Sequence, residues 1–131
     1  GTYYKAFNTP ANFGDAILHC RLDGGTLAMP RDPATNDFLI SLKNHVNSKS
    51  CFWFGLHDRR REGRFEWMDG RLLGHWRYKS WGAKQPDDRH RGEDCVHYFS
   101  SMDTKWGANT WNDADCSIPY LFICQVTPDT S

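Results

Sequence analysis

Phe52-Trp53-Phe54-Gly55-Leu56 is an aromatic, apolar run with the length of one β-strand, near the middle of this 131-residue chain. Aromatic and β-branched residues favour strands, because their side chains pack well on a pleated surface. Comparable short runs predict further strands over 2–7, 64–67, 95–99 and 120–124. From about residue 51 onward, the chain is therefore predicted to form mainly short strands.

Two helices are predicted ahead of the central run. Thr9-Pro10 is a start signal for the first, a capping residue followed by proline, and four residues at helical spacing mark its buried face: Phe13, Ala16, Ile17 and Cys20. Asp32-Pro33 repeats the start signal, and a second apolar stripe follows it: Phe38, Leu39, Leu42 and Val46. Two helices followed by strands indicate an α+β domain.

The length and charge of the chain are those of a single neutral domain. Sixteen basic residues balance sixteen acidic ones, so no net field draws the protein to nucleic acid or to a membrane surface. No apolar run reaches the roughly 18 residues that a membrane-spanning helix needs. Residues 69–94 are polar and irregular, and a loop of that length in a domain is usually functional. We expect one domain over 1–125 and a flexible tail over 126–131.

Five cysteines stand at positions 20, 51, 95, 116 and 124, and none forms a Cys-x-x-Cys pair. A zinc site is therefore not predicted. Two disulfides and one odd thiol are the simpler interpretation, and disulfides imply a secreted, extracellular protein. The sequence alone leaves the pairing of the cysteines open.

Oxygen-bearing side chains gather in the second half of the chain. Gln85-Pro86-Asp87 is followed by Glu93-Asp94-Cys95 and by Trp111-Asn112-Asp113. Carboxylate and amide oxygens are the ligands that Ca²⁺ prefers. An amide can bind the metal through its oxygen while its NH₂ group donates elsewhere. These segments therefore predict a Ca²⁺ site that also offers hydrogen bonds to a neutral polyol.

These motifs together resemble the C-type lectin-like domain. Trp53-Phe54-Gly55-Leu56 resembles the W-I-G-L core strand of that family, and Glu62-Gly63-Arg64-Phe65-Glu66-Trp67 before Asp69-Gly70 resembles its E-G-x-W/F-x-W…D-G segment. Gln85-Pro86-Asp87 and Trp111-Asn112-Asp113 resemble its Q-P-D and W-N-D signatures. The resemblance covers nearly the whole chain and implies the C-type lectin-like fold, with two helices, small antiparallel sheets and a long Ca²⁺-stabilised loop region. It also implies two disulfides, Cys20–Cys124 and Cys95–Cys116.

The resemblance implies two Ca²⁺ sites. The principal ion is expected to be held by Gln85, Asp87, Glu93, Asn112 and Asp113. The auxiliary ion is expected to be held by Asp58, Glu62, Asp88, Glu93 and Asp94. In this family, two sugar hydroxyls bind the principal ion directly and form hydrogen bonds with the side chains that hold it, so the principal ligands are also the expected sugar-binding residues.

The Q-P-D signature implies a preference for terminal galactose or N-acetylgalactosamine. Microbial surface glycans met in innate immunity are candidate ligands. Strong galactose binders of the family carry a Trp where this chain has Arg89, so we expect weak selectivity. Trp106 is a candidate stacking residue, with a place in the core as the alternative. Arg89 and His90 are candidates for contacting an anionic glycan, with a solvated loop as the alternative.

A rival hypothesis keeps the fold and changes the ligand. A module of the same fold would bind a protein or an anionic polysaccharide, without a Ca²⁺-bridged sugar, through Arg59–Arg61 or Arg89–Arg91. Cys51 has no partner in the resemblance, which leaves a buried thiol and a disulfide-linked dimer as alternatives. An enzyme is not predicted, because no nucleophile signature positions Ser, His and Asp.

Overall fold

The computed structural model describes residues 1–74, 79–82 and 93–128 of the chain. Its elements in chain order are β1 (Tyr3–Ala11), α1 (Phe13–Leu22), β2 (Thr26–Leu27), α2 (Pro33–Asn47), β3 (Phe52–His57), β4 (Glu66–Trp67), β5 (Cys95–Tyr98), β6 (Trp111–Ala114) and β7 (Tyr120–Val126). The predicted α+β class with two helices is confirmed. Across these described ranges, neither helix combines the length and the hydropathy that a transmembrane span requires.

The strands form one mixed sheet in the order β1-β7-β3-β5-β6, with β2 paired to β7 and β4 paired to β3. The β3–β7 pair is parallel and the other pairs are antiparallel. This parallel pair joins the expected antiparallel sheets into a single sheet. Tyr3 of β1 pairs with Val126 of β7, so the last strand includes the first residue of the expected tail; residues 129–131 of that tail lie outside the described residues.

The first helix begins later than its start signal predicted. Thr9 and Pro10 lie in β1, and the helix is capped by Asn12, whose side-chain oxygen accepts a hydrogen bond from the Asp15 N–H at 2.8 Å. Because β1 is an edge strand, it tolerates a proline that cannot donate to the ladder. The second start signal was correct: Asp32 caps α2, and its carboxylate accepts from the Thr35 N–H at 2.8 Å.

The core lies between the helices and the sheet. The predicted face of α1 is buried, since Phe13, Ala16, Ile17 and Cys20 are at most 7% exposed. The stripe predicted for α2 was partly wrong, because Phe38 is 54% exposed while two polar residues of the same helix, Asn36 and Lys43, are buried.

Hydrogen bonds explain the orientation of α2. Asn36 Oδ1 accepts from Tyr98 Oη at 2.6 Å and from Trp111 Nε1 at 3.1 Å. Lys43 Nζ donates to Asn109 Oδ1 at 2.8 Å and lies 5.9 Å from the centre of the Phe52 ring. Burial of these polar groups is tolerated because each is hydrogen-bonded.

Both disulfides implied by the resemblance are present. Cys20–Cys124 links α1 to β7 with a Cα–Cα distance of 5.4 Å. Cys95–Cys116 links the start of β5 to the segment after β6 with a Cα–Cα distance of 5.2 Å. Cys51 is a half-buried free thiol, and burial raises its pKa.

Candidate metal centre

Three carboxylates meet where β3 ends and β5 begins. His57 pairs with Cys95 across these antiparallel strands, and the backbone N–H of Asp58 donates to the carbonyl oxygen of Asp94 at 2.9 Å. The pairing therefore places Asp58 beside Asp94, although 36 positions separate them in the sequence.

A tight turn brings Glu62 to the same place. The Gly63 N–H donates to Asp58 Oδ2 at 2.8 Å, and Gly63 has a φ of +79°, which glycine adopts at little cost. As a result, one oxygen each from Asp58, Glu62 and Asp94 lie within 4.8 Å of one another. These three residues are called the carboxylate cluster below.

The electrostatics of the carboxylate cluster are unfavourable without a cation. Asp58 is 2% exposed, and burial raises its pKa, with the Gly63 N–H acting in the opposite direction. Oδ1 of Asp58 and Oδ1 of Asp94 are buried with no hydrogen-bond partner, and none of the ion pairs between described residues involves either side chain. Burial also lowers the pKa of the adjacent His57 to about 4, so this ring supplies no positive charge.

The chemistry of this donor set fits a hard divalent cation. Buried carboxylate oxygens without a donor are costly, and a cation that binds them removes that cost. Ca²⁺ takes oxygen ligands from carboxylates in flexible geometry. The orphaned oxygens of Asp58 and Asp94 are thus the structural observation that agrees with a metal at the carboxylate cluster.

A second group of polar side chains lies on β6. Asn112 pairs with His97 of β5, and Asp113 pairs with Val96. Asn112 is half-buried, whereas Asp113 is 1% exposed. The Nδ2 atom of the Asn112 side chain lies 2.9 Å from His97 Nε2. Pairing with β5 therefore fixes the positions of both residues. The Cys95–Cys116 disulfide in turn anchors β5.

Comparison with known families identifies the kind of domain that carries the carboxylate cluster and the polar side chains of β6. A family model described as the lectin C-type domain matches residues 9–126. The chain belongs to the C-type lectin domain family. Collectin-10 of Xenopus tropicalis is 35% identical over 130 residues, which cover 98% of this chain and 43% of that relative. A C-type lectin mannose-binding isoform of Oxyuranus scutellatus is 32% identical over 128 residues, covering 95% of this chain and 77% of that relative.

Solved structures agree with this assignment. The carbohydrate-recognition domain of the mouse scavenger receptor C-type lectin has a TM-score of 0.81 at 27% identity, covering 99% of this chain and 91% of that one. The resemblance found in the motifs is therefore confirmed at the level of family and fold. The chain spans less than half the length of the collectins that it matches.

The predicted site residues of this lectin domain fall into two groups. Five lie outside the described residues: Gln85, Asp87, Asp88, Arg89 and His90. Of the predicted auxiliary ligands that are described, Asp58, Glu62 and Asp94 form the carboxylate cluster, and Glu93 is not one of its members. Of the predicted principal ligands, Asn112 and Asp113 are neighbours on β6.

Trp106, the candidate stacking residue, is half-buried in the loop between β5 and β6. Its backbone N–H donates to Asp103 Oδ1 at 2.7 Å, and Lys105 Nζ lies 4.8 Å from the centre of its ring. It belongs to neither apolar cluster formed by the described core residues. The loop therefore holds this indole at the surface layer of the lectin domain.

Sequence reasoning missed His97 as a residue of the site. Its ring is 1% exposed and contacts Asn112, one of the predicted ligands. The sequence did carry one signal for it: residues two apart in a strand lie on the same face, so His97 lies on the same face of β5 as Cys95. The pairing with Asn112 could not be found, because β6 had not been predicted as a strand.

A basic concavity lies near the carboxylate cluster. It has a volume of about 480 Å³ and is lined by Arg60, Arg61, Arg64, Glu66, Gly70 and Leu72. Arg60 Nη1 lies 3.3 Å from Glu66 Oε1, which offsets part of its charge. Arg59 points elsewhere, with its guanidinium carbon 5.0 Å from the centre of the Phe13 ring.

Proposed function

We propose that this C-type lectin domain binds glycans ending in galactose or N-acetylgalactosamine, and that binding depends on Ca²⁺. The observation that carries the proposal is the carboxylate cluster of Asp58, Glu62 and Asp94, with its two buried, unbonded oxygens. A cluster of this kind is stable when it holds a cation and is strained by mutual repulsion when it does not.

The principal ion would be held by Gln85, Asp87, Glu93, Asn112 and Asp113, and the auxiliary ion by Asp58, Glu62, Asp88, Glu93 and Asp94. When bound, Ca²⁺ supplies coordination sites for two neighbouring hydroxyls of a sugar. The protein side chains supply the hydrogen bonds around them, and bonds that involve a carboxylate are stronger than neutral ones. Ligands must be deprotonated, so acidification is expected to release the metal.

The sugar preference in the proposal rests on Gln85-Pro86-Asp87, which places an amide before an acid. Gln85 would donate on one side of the ion and Asp87 would accept on the other, which matches the equatorial 3-OH and axial 4-OH of galactose. One relative is named a mannose-binding isoform, and its sugar is not transferred to this chain. Arg89 in place of an aromatic platform supports weak galactose affinity with partial mannose binding.

Calorimetry tests this proposal with one variant and a matched control. Galactose is titrated into the wild type, Asp113→Asn and Asp115→Asn, first in Ca²⁺ and then in EDTA. Asp115 is exposed and lies two residues from Asp113, so Asp115→Asn makes the same chemical change outside the site. We expect binding by the wild type and Asp115→Asn in Ca²⁺ alone, and none by Asp113→Asn. Galactose binding by Asp113→Asn would contradict the site.

We further propose that the protein is secreted and that its partners include microbial surface polysaccharides, as expected of an innate-immune lectin. The two disulfides agree with an oxidising compartment. Binding is proposed to occur without chemistry, since each acid of the site is assigned to a metal. Incubation with galactosides should release no reducing sugar, and release that depends on Asp113 would refute this.

A second candidate function is supported by the basic concavity. Arg60, Arg61 and Arg64 line one surface depression, and guanidinium groups bind sulfate and carboxylate groups through paired hydrogen bonds. The ligand in this case would be an anionic polysaccharide or an acidic protein surface, bound without Ca²⁺. Residues Arg89–Arg91, the other basic segment of this hypothesis, lie outside the described residues.

Heparin–agarose in EDTA separates the two functions. If the concavity binds polyanions, Arg61→Gln/Arg64→Gln should elute at clearly lower salt than the wild type, because fewer ionic contacts bind heparin more weakly and salt screens those that remain. Lys49→Gln, which removes an exposed charge on the turn after α2, is the matched control, because Lys49 does not line the concavity. Elution of the double variant together with the control and the wild type would exclude this second function.

A further inference from the structure

His97 is a buried imidazole with a polar contact at each nitrogen. Its ring is 1% exposed and is enclosed by aromatic rings, with centroid distances of 5.7 Å to Trp53, 5.5 Å to Phe99 and 4.5 Å to Tyr120. Such packing fixes the plane of the ring, and the polar contacts fix which nitrogen faces Tyr98 and which faces Asn112. The two nitrogens therefore act in fixed directions.

The backbone determines which nitrogen carries the proton. His97 Nδ1 lies 2.8 Å from the carbonyl oxygen of Tyr98. A carbonyl oxygen only accepts hydrogen bonds, so the proton resides on Nδ1, and Nδ1–H donates to Tyr98. In a neutral imidazole the other nitrogen then carries a lone pair, which makes Nε2 an acceptor. Burial favours this neutral form.

The lone pair on Nε2 determines the orientation of Asn112. The Asn112 side chain lies 2.9 Å from Nε2, and only its NH₂ group can donate to an acceptor. A flipped amide would place its oxygen against the lone pair of Nε2, and two acceptors repel. Because the nitrogen end of the amide faces His97, the Oδ1 atom lies on the side turned away from the buried ring.

We propose that His97 is a positioning residue for the metal: it holds the Asn112 amide so that Oδ1 is presented to the principal ion. One N–H of Asn112 is used by His97, and the proposed contact with a sugar hydroxyl would use the second N–H. The inference rests on the proposed function, in which Asn112 is a ligand of that ion. His97 itself touches neither metal nor sugar and acts through Asn112.

Two substitutions at position 97 test this role. His97→Phe keeps an aromatic ring among Trp53, Phe99 and Tyr120 and removes the acceptor. His97→Gln removes the ring and keeps an acceptor near the Nε2 position. Loss of an outer-shell partner typically lowers metal affinity about 10–100-fold, so we expect a loss at the lower end of that range for His97→Phe. His97→Gln should restore most of the affinity.

A double-mutant cycle separates positioning from a general structural effect. Ca²⁺ affinity is measured calorimetrically, without sugar, for the wild type, His97→Phe, Asn112→Ala and the double variant. If His97 acts through Asn112, then adding His97→Phe to Asn112→Ala weakens binding no further. An equal loss in both backgrounds would show a structural role and would overturn the inference.

The same cycle distinguishes failure of the inference from failure of the proposed function. If Asn112→Ala weakens Ca²⁺ binding and His97→Phe does not, only the inference is overturned. If Asn112→Ala binds Ca²⁺ like the wild type, the site assignment fails and the inference fails with it.

One further test uses only the wild type, so its result does not depend on whether a variant folds. The ¹⁵N resonances of His97 report which nitrogen is protonated, and we expect the proton on Nδ1 and a bare Nε2. A proton on Nε2 would require Asn112 to turn its oxygen toward the ring, and this result would overturn the proposal.

Discussion

Asp58→Asn is expected to raise stability without Ca²⁺ and to reduce the stabilisation that Ca²⁺ binding adds. The substitution removes one buried charge from the carboxylate cluster and keeps the size of the side chain. The amide oxygen introduced by the substitution can still accept the hydrogen bond from the Gly63 N–H, which is 2.8 Å from Asp58 Oδ2. The new NH₂ group replaces an atom that has no hydrogen-bond partner.

Without Ca²⁺, the variant should be more stable than the wild type. One oxygen from Asp58 and one from Asp94 lie within 4.8 Å of each other, so a small shift of the side chains lets the new amide donate to the unbonded Oδ1 of Asp94. A hydrogen bond to a charged group contributes about 1.5–3 kcal/mol. For a domain of this size, each kcal/mol corresponds to roughly 4 °C in Tm. We expect a rise of about 6 °C or more in EDTA.

With Ca²⁺, the wild type should recover part of that difference. A ligand at about 100 times its Kd stabilises the folded state by about 2.7 kcal/mol, which is a rise of roughly 10 °C for the wild type. The variant lacks one charged ligand, so its affinity falls and its rise in Tm at the same Ca²⁺ concentration is smaller by several degrees.

Thermal unfolding in EDTA and across a Ca²⁺ series measures both effects. Asp37→Asn, which neutralises an exposed acid on α2, is the matched control and should follow the wild type in both conditions. The reasoning is refuted if Asp58→Asn is no more stable than the wild type in EDTA. It is equally refuted if the two proteins gain the same Tm from Ca²⁺.

Three further predictions concern the core and the free thiol. Asn36→Leu should lower the free energy of unfolding by about 2–4 kcal/mol, because Tyr98 Oη and Trp111 Nε1 lose a buried acceptor; a urea titration that shows under about 0.5 kcal/mol would contradict it. Burial lowers the pKa of Lys43 to about 8, so the unfolded chain binds more protons above that pH, and the stability contributed by Lys43 rises from about pH 8 to 10. The difference in unfolding free energy between wild type and Lys43→Met should change over that window, and a constant difference would refute the assignment. Cys51 is half-buried with a raised pKa, so the protein should migrate as a monomer on a non-reducing gel, and a dimer band abolished by Cys51→Ser would show the opposite.

Local signals in the sequence predicted those parts of the fold that short-range interactions determine. Asp32-Pro33 marked the start of α2 correctly, because capping involves only the first turn of the helix. Thr9-Pro10 carries the same signal and failed, because pairing of β1 with β7 extends the strand to Ala11. Tertiary pairing outweighed a local preference there.

Long-range contacts account for the remaining errors. The apolar stripe assigned to α2 included Phe38, whereas the helix turns Asn36 toward Tyr98 and Trp111. A buried polar residue of this kind has no apolar signal to reveal it. Strand β6 was missed because Asn112 and Asp113 are polar and disfavour a strand, and pairing with β5 is what makes this segment a strand.

For the candidate site too, the sequence indicated the residue types, and long-range contacts determined which residues meet. Composition indicated oxygen ligands for Ca²⁺, and the family resemblance supplied the grouping of Asp58 with Glu62 and Asp94. Spacing alone could not have grouped them, because Asp58 and Asp94 meet only through the pairing of β3 with β5. The role inferred for His97 required the structure, since it depends on two hydrogen bonds in opposite directions.

Retention on galactose–agarose is the most direct test of Ca²⁺-dependent sugar binding. The protein is loaded in Ca²⁺, and parallel columns are eluted with galactose, with mannose and with EDTA. The proposed site predicts retention that EDTA abolishes and that galactose releases at a lower concentration than mannose. Retention that persists in EDTA, or no retention in Ca²⁺, would contradict a metal-bridged galactose site and favour the basic concavity as the binding surface.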